Sequence, residues 1–239
     1  MPARQFLLLQ VRDRDDPMRQ QEVACFANAL KVESSEIQTF DLLTETDIDT
    51  ATSKATVILV GGSGNYSVAG DGPECEPQLA AIRKVCEQDK PVFGSCWGFQ
   101  AIARALGGRV VTDMSRAEVG AIQLRLTESG RSDRVFRSLD SPFFGQAGHQ
   151  DCVVEAPASA VILASSHKVP IQAYRIEGKP IYCTQFHPEL TVDDLRARVI
   201  QYPQYIRDIA NQSVEEFCQT LRPSPEATTL LTTFIKEYV

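Results

Sequence analysis

The chain has 239 residues, of which 43% are hydrophobic, and its 24 Lys and Arg against 31 Asp and Glu give a net charge of −7. That length supports one α/β domain with a substantial core and excludes two full domains. The acidic balance, with no long basic run, excludes the positive surface that nucleic acid or an anionic membrane would attract, and leaves small polar substrates or a protein partner.

The N-terminal segment "MPARQFLLLQVRDRDD" has a short apolar core followed at once by a run of charges. It is neither a signal peptide nor a membrane span, so a soluble, cytoplasmic protein is expected. Seven cysteines, an odd number without a C-x-x-C pair, fit neither a disulfide framework nor a zinc site. Cys25, Cys86, Cys183 and Cys218 are expected as reduced core residues, and Cys75 and Cys152 as unreactive. No metal or cofactor is expected.

In chain order, "QFLLLQV" (5–11), "TVILVGG" (56–62) and "KPVFGS" (90–95) read as strands buried on both faces. Between the last two, "EPQLAAIRKVCEQ" places Leu79, Ile82, Val85 and Cys86 at helical spacing, with Pro77 near the start. Strand, helix and strand in alternation predict an α/β fold with an open, mostly parallel twisted sheet flanked by helices. A second helix begins near Trp97, and Gly107 and Gly108 end it before a new strand. From Val119 to about Phe186 the short runs "AIQLRL", "DCVVEA", "AVILASS", "PIQAYRI" and "PIYCTQF" predict antiparallel pairs, with "EGK" as a turn. The remainder reads as helices interrupted at Pro203 and "RPSPEA". One domain over 1–239 is expected, with a core of about 5–195 and a helical C-terminal extension of about 196–239.

Cys96 lies where the strand "PVFGS" gives way to a helix, and ligands and nucleophiles collect at the carboxyl ends of such strands. A nucleophile on a sharp strand-to-helix turn brings the residues two before and two after it very close, a steric reason for Gly94 and Gly98. The helix N-terminus also supplies free N–H groups that favour negative charge on sulfur and can stabilise an oxyanion. The second partner is His187, just past the strand "IYCTQF", with Glu189 two residues on to orient it and Pro188 between them. His167 is expected in an exposed turn. "GGSGN" lacks the Gly-Lys-Ser/Thr of a phosphate-binding P-loop.

These residues carry a resemblance. Gly94-Ser95-Cys96-Trp97-Gly98-Phe99-Gln100 resembles the G-x-C-x-G-x-Q elbow of class I, triad-type glutamine amidotransferases, and "TQFHPE" resembles their histidine–glutamate segment, at the family's spacing. The resemblance spans roughly residues 5 to 190 and points to free-standing relatives of the amidotransferase domain of GMP synthetase. It implies a flavodoxin-like sheet, and hydrolysis of the γ-amide of glutamine to glutamate and ammonia through a thioester. It makes Cys96 the nucleophile, His187 the general base and acid, Glu189 its orienter and Gln100 a holder of the substrate's amino-acid end. The N–H groups of Gly62 and Trp97 would form the oxyanion hole, and Gly64 would line the pocket. "GHQDCV" resembles a Ser-His-x-Asp loop, which makes His149 and Asp151 further candidates for contacting glutamine. Three departures stand out: Ser63 in place of proline, Gly148 in place of serine, and Trp97, bulkier than leucine or tyrosine.

No P-loop or pyrophosphatase loop is present, so a separate synthetase subunit is the expected ammonia acceptor. The alternative is a γ-glutamyl peptide hydrolase that uses the same Cys-His-Glu triad with water as acceptor. A non-catalytic scaffold is disfavoured by the intact triad. An α/β-hydrolase-type enzyme is disfavoured because Glu189 follows His187 by two.

Overall fold

Among the described residues eleven strands form, in chain order β1 (Phe6–Gln10), β2 (Ile37–Asp41), β3 (Val57–Val60), β4 (Val92–Ser95), β5 (Arg109–Thr112), β6 (Glu118–Leu126), β7 (Phe143–His149), β8 (Asp151–Glu155), β9 (Ala160–Ser166), β10 (Ala173–Ile176) and β11 (Ile181–Thr184). Nine of them make one sheet, in the order β2-β1-β3-β4-β11-β10-β9-β6-β7, in this computed structural model, which describes residues 4–239. The first three residues of the N-terminal segment lie outside the described residues.

The half of the sheet from β2 to β11 is parallel, and β10, β9, β6 and β7 continue it antiparallel. Every residue of β1, β3, β4 and β11 is buried, as strands covered on both faces require. Pairing Val60 with Gly94 and Ser95 with Thr184 levels the carboxyl ends of β3, β4 and β11, so the loops that follow them emerge side by side at one edge.

Helices α1 (Met18–Leu30), α2 (Ile48–Ser53), α3 (Glu76–Glu87), α4 (Trp97–Ala105), α5 (Glu128–Ser132), α6 (Val192–Gln201), α7 (Pro203–Tyr205), α8 (Val214–Thr220) and α9 (Pro225–Tyr238) complete the chain, with a wide π turn at Ile206–Ala210. On one face, α3 sets Leu79, Ile82, Val85 and Cys86 against α4 and the sheet. On the other, α1 and α9 bury Phe26, Leu230, Leu231 and Phe234. Phe234 meets Phe93 edge-on at 5.4 Å and Tyr182 at 5.6 Å, pairings worth about 1 kcal/mol each beyond burial. A third, smaller cluster joins Cys25 of α1 to Leu190, Leu195, Val199, Ile206 and Phe217. The C-terminal helices thus divide: α9 covers the sheet, while α6 to α8 cover its carboxyl edge.

Three elements escape the sequence pattern. The edge strand β2 buries only Ile37 and Phe40, β7 ("FFGQAGH") carries two glycines, and the apolar residues of α1 follow no single stripe. "DCVVEA" does form a strand, β8, but it pairs with β5 in a separate ribbon. The turn at "EGK" is present, with Gly178 at φ +74°, and His167 is exposed between β9 and β10.

Candidate active site

Cys96 stands between the last residue of β4 and the first of α4 with φ +52° and ψ −98°, a region an L residue rarely occupies. Its N–H donates to the carbonyl of Thr184 at 2.8 Å, which fastens the elbow to β11. A Cβ added to Gly98 would sit 2.4 Å from the carbonyl oxygen of Val60, and one on Gly94 would sit 3.0 Å from the carbonyl carbon of Gly98. The chain can turn this sharply only because both positions are bare. The sulfur is 4.0 Å from the carbonyl oxygen of Gly148 and 3.7 Å from Nε2 of Gln185.

His187 is anchored by its own N–H, which donates to the carbonyl of Gln146 at 2.8 Å. Its Nδ1 lies 2.6 Å from Oε1 of Glu189, while the hydroxyl of Ser95 donates to Oε2 of the same carboxylate at 2.8 Å. With Nδ1 committed to Glu189, Nε2 is the nitrogen left for Cys96. Burial opposes a charged imidazole, but Glu189 and Cys96 outweigh it and hold His187 at about 9. Burial also works against the Glu189 carboxylate, yet His187 and Arg198 hold it below the ordinary carboxylate range. The two shifts agree on an ionised pair near neutral pH.

This pair makes stability depend on pH. An unfolded imidazole titrates at about 6.5, so the protonated His187 stabilises the fold fully below that value, and its contribution fades as pH rises through about 9. Urea midpoints measured from pH 6 to pH 10 should fall across this window, and less so in His187→Gln. A midpoint in the native chain as flat as in that variant would show that the imidazole is not held charged.

Cys96 borders a cavity of about 280 Å³, whose walls also include Trp97, Gln100, His149, Asp151 and Gly64, and His187 lines a small neighbouring cavity that shares Ser63, Gly148 and Tyr205 with it. Seven residues singled out from the sequence therefore converge: these six around the cavity and His187 beside them. Gln100 is nearly fully buried, and its side-chain amide is committed within the protein, donating to the carbonyl of Asp151 and to Oε1 of Gln185, both at 3.0 Å. The imidazole of His149 lies 3.3 Å from Glu118 on one nitrogen and 3.0 Å from the carbonyl of Asp151 on the other. The Asp151 carboxylate accepts from Ser67 at 2.5 Å and Thr112 at 2.6 Å.

Gly62 brings an arrangement that its sequence context did not suggest. Its N–H donates to Oε1 of Glu22 at 2.9 Å, a fully buried carboxylate that also accepts from Gln10 at 3.0 Å and is paired with Arg12 at 3.3 Å. In this conformation that N–H is occupied. Trp97 is the first residue of α4, so its N–H has no acceptor within the helix. Gly64 is clasped from the C-terminal side: Tyr205 donates to its carbonyl at 3.0 Å, and a Cβ at this position would meet the Tyr202 ring at 2.6 Å. Tyr205 and Asp208 complete the outer wall of the cavity.

Sequence reasoning missed Ser95 and Gln185, although both lie inside the motifs it quoted. It had no signal for Glu22, Arg198 or Tyr205, which reach the site from α1, α6 and α7 through folding alone. All seven cysteines are free. Burial raises the thiols of Cys25, Cys183 and Cys152, and pushes Cys86 up to about 12. Among the described residues, no cluster of His, Cys, Asp and Glu could hold a metal ion, and no helix is long and apolar enough to cross a membrane.

Comparison with known proteins places these features in context. The family model "Glutamine amidotransferase class-I" matches residues 22–202. A GMP synthase [glutamine-hydrolyzing] of Vibrio cholerae serotype O1 is 38% identical over 127 residues, covering 52% of this chain but only 24% of that protein, so the match spans about a quarter of the relative. One subunit of the GMP synthase [glutamine-hydrolyzing] of Methanopyrus kandleri is 28% identical over 145 residues, 61% of this chain and 72% of that one. Among solved structures, a glutamine amidotransferase from Thermotoga maritima superposes with a TM-score of 0.72 at 16% identity, covering 98% of this chain and 97% of that one. A glutamine amido transferase from Methylobacillus flagellatus gives 0.70 at 17% identity, covering 99% and 95%. At these identities the superpositions establish a shared fold.

Proposed function

The chain belongs to the class I glutamine amidotransferase family, and from that premise we propose that it hydrolyses the γ-amide of glutamine, with Cys96 as nucleophile, His187 as general base and acid and Glu189 as its orienter. The observation that carries this reading is the strained Cys96 elbow, which lines a polar cavity and is backed by a buried His187–Glu189 pair whose imidazole is coupled to the Cys96 sulfur. Sγ attacks the amide carbon, and the developing oxyanion is received by the N–H of Trp97 and, once it leaves Glu22, by that of Gly62. His187 gives its Nε2 proton to the leaving nitrogen, so ammonia departs and a γ-glutamyl thioester remains on Cys96. Water then attacks the thioester carbon, His187 takes its proton, and glutamate is released with the sulfur restored. Gln100 acts in this scheme by fixing the loop of His149 and Asp151, which line the cavity and are the proposed contacts of the substrate's amino-acid end.

The likeness to a single subunit of a GMP synthase supports a further element, a separate synthetase subunit that accepts the ammonia. A second reading keeps the triad but takes γ-glutamyl peptides or amides, with water as the acceptor. It is favoured by the bulk of Trp97 in the cavity wall, a large apolar surface that would suit a leaving group larger than ammonia.

Intact-mass analysis after incubation with the glutamine analogue 6-diazo-5-oxo-norleucine tests the first reading. Because burial disarms the thiols of Cys25, Cys86, Cys152 and Cys183, these four should stay unlabelled, and an adduct is expected at Cys96 that is lost in Cys96→Ala. Turnover of γ-glutamyl dipeptides orders of magnitude above that of glutamine, without such an adduct, would replace the first reading by the second.

A further inference from the structure

Arg198 lies on α6, eleven residues beyond His187, and its side chain is nearly fully buried. Nη1 is 3.4 Å from Nδ1 of His187 and 3.9 Å from Oε1 of Glu189, and Nε donates to Oε1 of Gln21 on α1 at 3.0 Å. Nη2 is buried without a partner, beside a small cavity of about 40 Å³ that also touches His187, Leu190, Val199 and Tyr202. A long cationic side chain on a helix normally carries its head to water, and an unsatisfied buried guanidinium N–H is costly. Fold stability alone gives no reason to hold it here.

From this placement we propose that Arg198 is a positioning residue of the catalytic pair: its guanidinium, aimed by Gln21, shares the Glu189 carboxylate with His187 and so governs how that carboxylate orients the imidazole and how firmly it holds the imidazolium. The proposal rests on the reading of Cys96, His187 and Glu189 given above. Arginine only donates, and Nδ1 of His187 is already committed to Glu189 at 2.6 Å, so the 3.4 Å approach is electrostatic rather than a hydrogen bond. The guanidinium keeps Glu189 ionised in a buried site and at the same time repels a proton on His187. An imidazolium held by Glu189 alone would part with its proton less readily to the leaving nitrogen.

The charged and titratable groups facing His187 are Cys96 from α4, Glu189 on its own loop, Arg198 and Tyr202 from the α6–α7 segment, Tyr205 on α7, Arg12 beyond β1 and, behind Gly62, Glu22 on α1. Arg12 is already balanced by Glu22 and Asp16 at 3.3 and 3.2 Å. Arg198 therefore supplies the positive charge that the pair feels most directly.

The test is a proton NMR titration of the histidine Cε1–H signals in the native chain, Arg198→Met and Arg198→Lys. The chain has only three histidines, so His187 is assigned by its loss in His187→Gln. In Arg198→Met, the His187 midpoint should rise by about one pH unit and the basic limb of kcat/KM should move up with it. kcat should fall at least tenfold with a smaller change in KM, and Arg198→Lys should restore part of each effect. Unmoved His187 midpoints and pH limbs in Arg198→Met, with only a lower melting temperature, would reduce Arg198 to a packing residue and overturn the proposal. If Arg198→Met does not fold, Gln21→Met takes its place: it leaves the charge but removes its aim, and a smaller rise in the His187 midpoint is expected, whereas no rise overturns the proposal. The titration needs no turnover, so a protein inactive on every γ-glutamyl substrate would refute the catalytic reading while the His187 midpoints still decided the role of Arg198.

Discussion

Cys96→Ser should lose turnover by about four orders of magnitude or more while its circular dichroism and melting temperature stay near those of the native chain. The exchange keeps size and shape at a site where the sulfur makes only long contacts, at 3.7 and 4.0 Å, so the fold loses little. The chemistry loses a nucleophile matched to its imidazole partner, and members of such a unit fail together rather than additively. Steady-state kinetics on glutamine and on a γ-glutamyl anilide, run beside His187→Gln, provide the measurement. Losses of only a few fold in both variants would place the reacting group elsewhere.

Gly98→Ala should produce the largest loss of stability among single-methyl changes near the site. The new carbon would arrive 2.4 Å from the carbonyl oxygen and 2.8 Å from Cβ of Val60, and neither β3 nor the first turn of α4 is free to retreat, because the N–H of Gly98 donates to the carbonyl of Gly61 at 3.0 Å. Forcing a methyl group into packed backbone costs about 3 kcal/mol or more, and here it also shifts Cys96 relative to His187. Gly148→Ala is the control: it too adds one methyl beside the cavity, but a Cβ there meets nothing within 4 Å. Urea denaturation should separate the two by at least about 2 kcal/mol, and equal stabilities would mean that the elbow is slack.

The elements legible in the sequence are those whose burial is uniform or periodic. β1, β3 and β4 are apolar on both faces, and α3 sets its buried residues at helical spacing, so each declares itself locally. β2, β7 and α1 owe their form to neighbours, and their own residues carry too little pattern to be read alone. The site divides in the same way. Cys96, His187 and Glu189 lie on loops whose glycines and proline reveal the turn. Glu22 on α1 and Tyr205 and Arg198 on the C-terminal helices reach the same few ångströms from opposite ends of the chain, and nothing in either segment announces the meeting. The commitment of the Gly62 N–H to Glu22 was equally invisible, since it depends on where α1 docks.

The dihedral angles of Cys96 carry a consequence beyond catalysis. At φ +52° every side chain is a burden on the backbone, of order 1–3 kcal/mol, and only glycine would rest there without strain. A lineage selected for heat resistance alone would therefore drift toward glycine at position 96 and lose its sulfur. A cysteine in that posture records a compromise in which durability has yielded to reactivity.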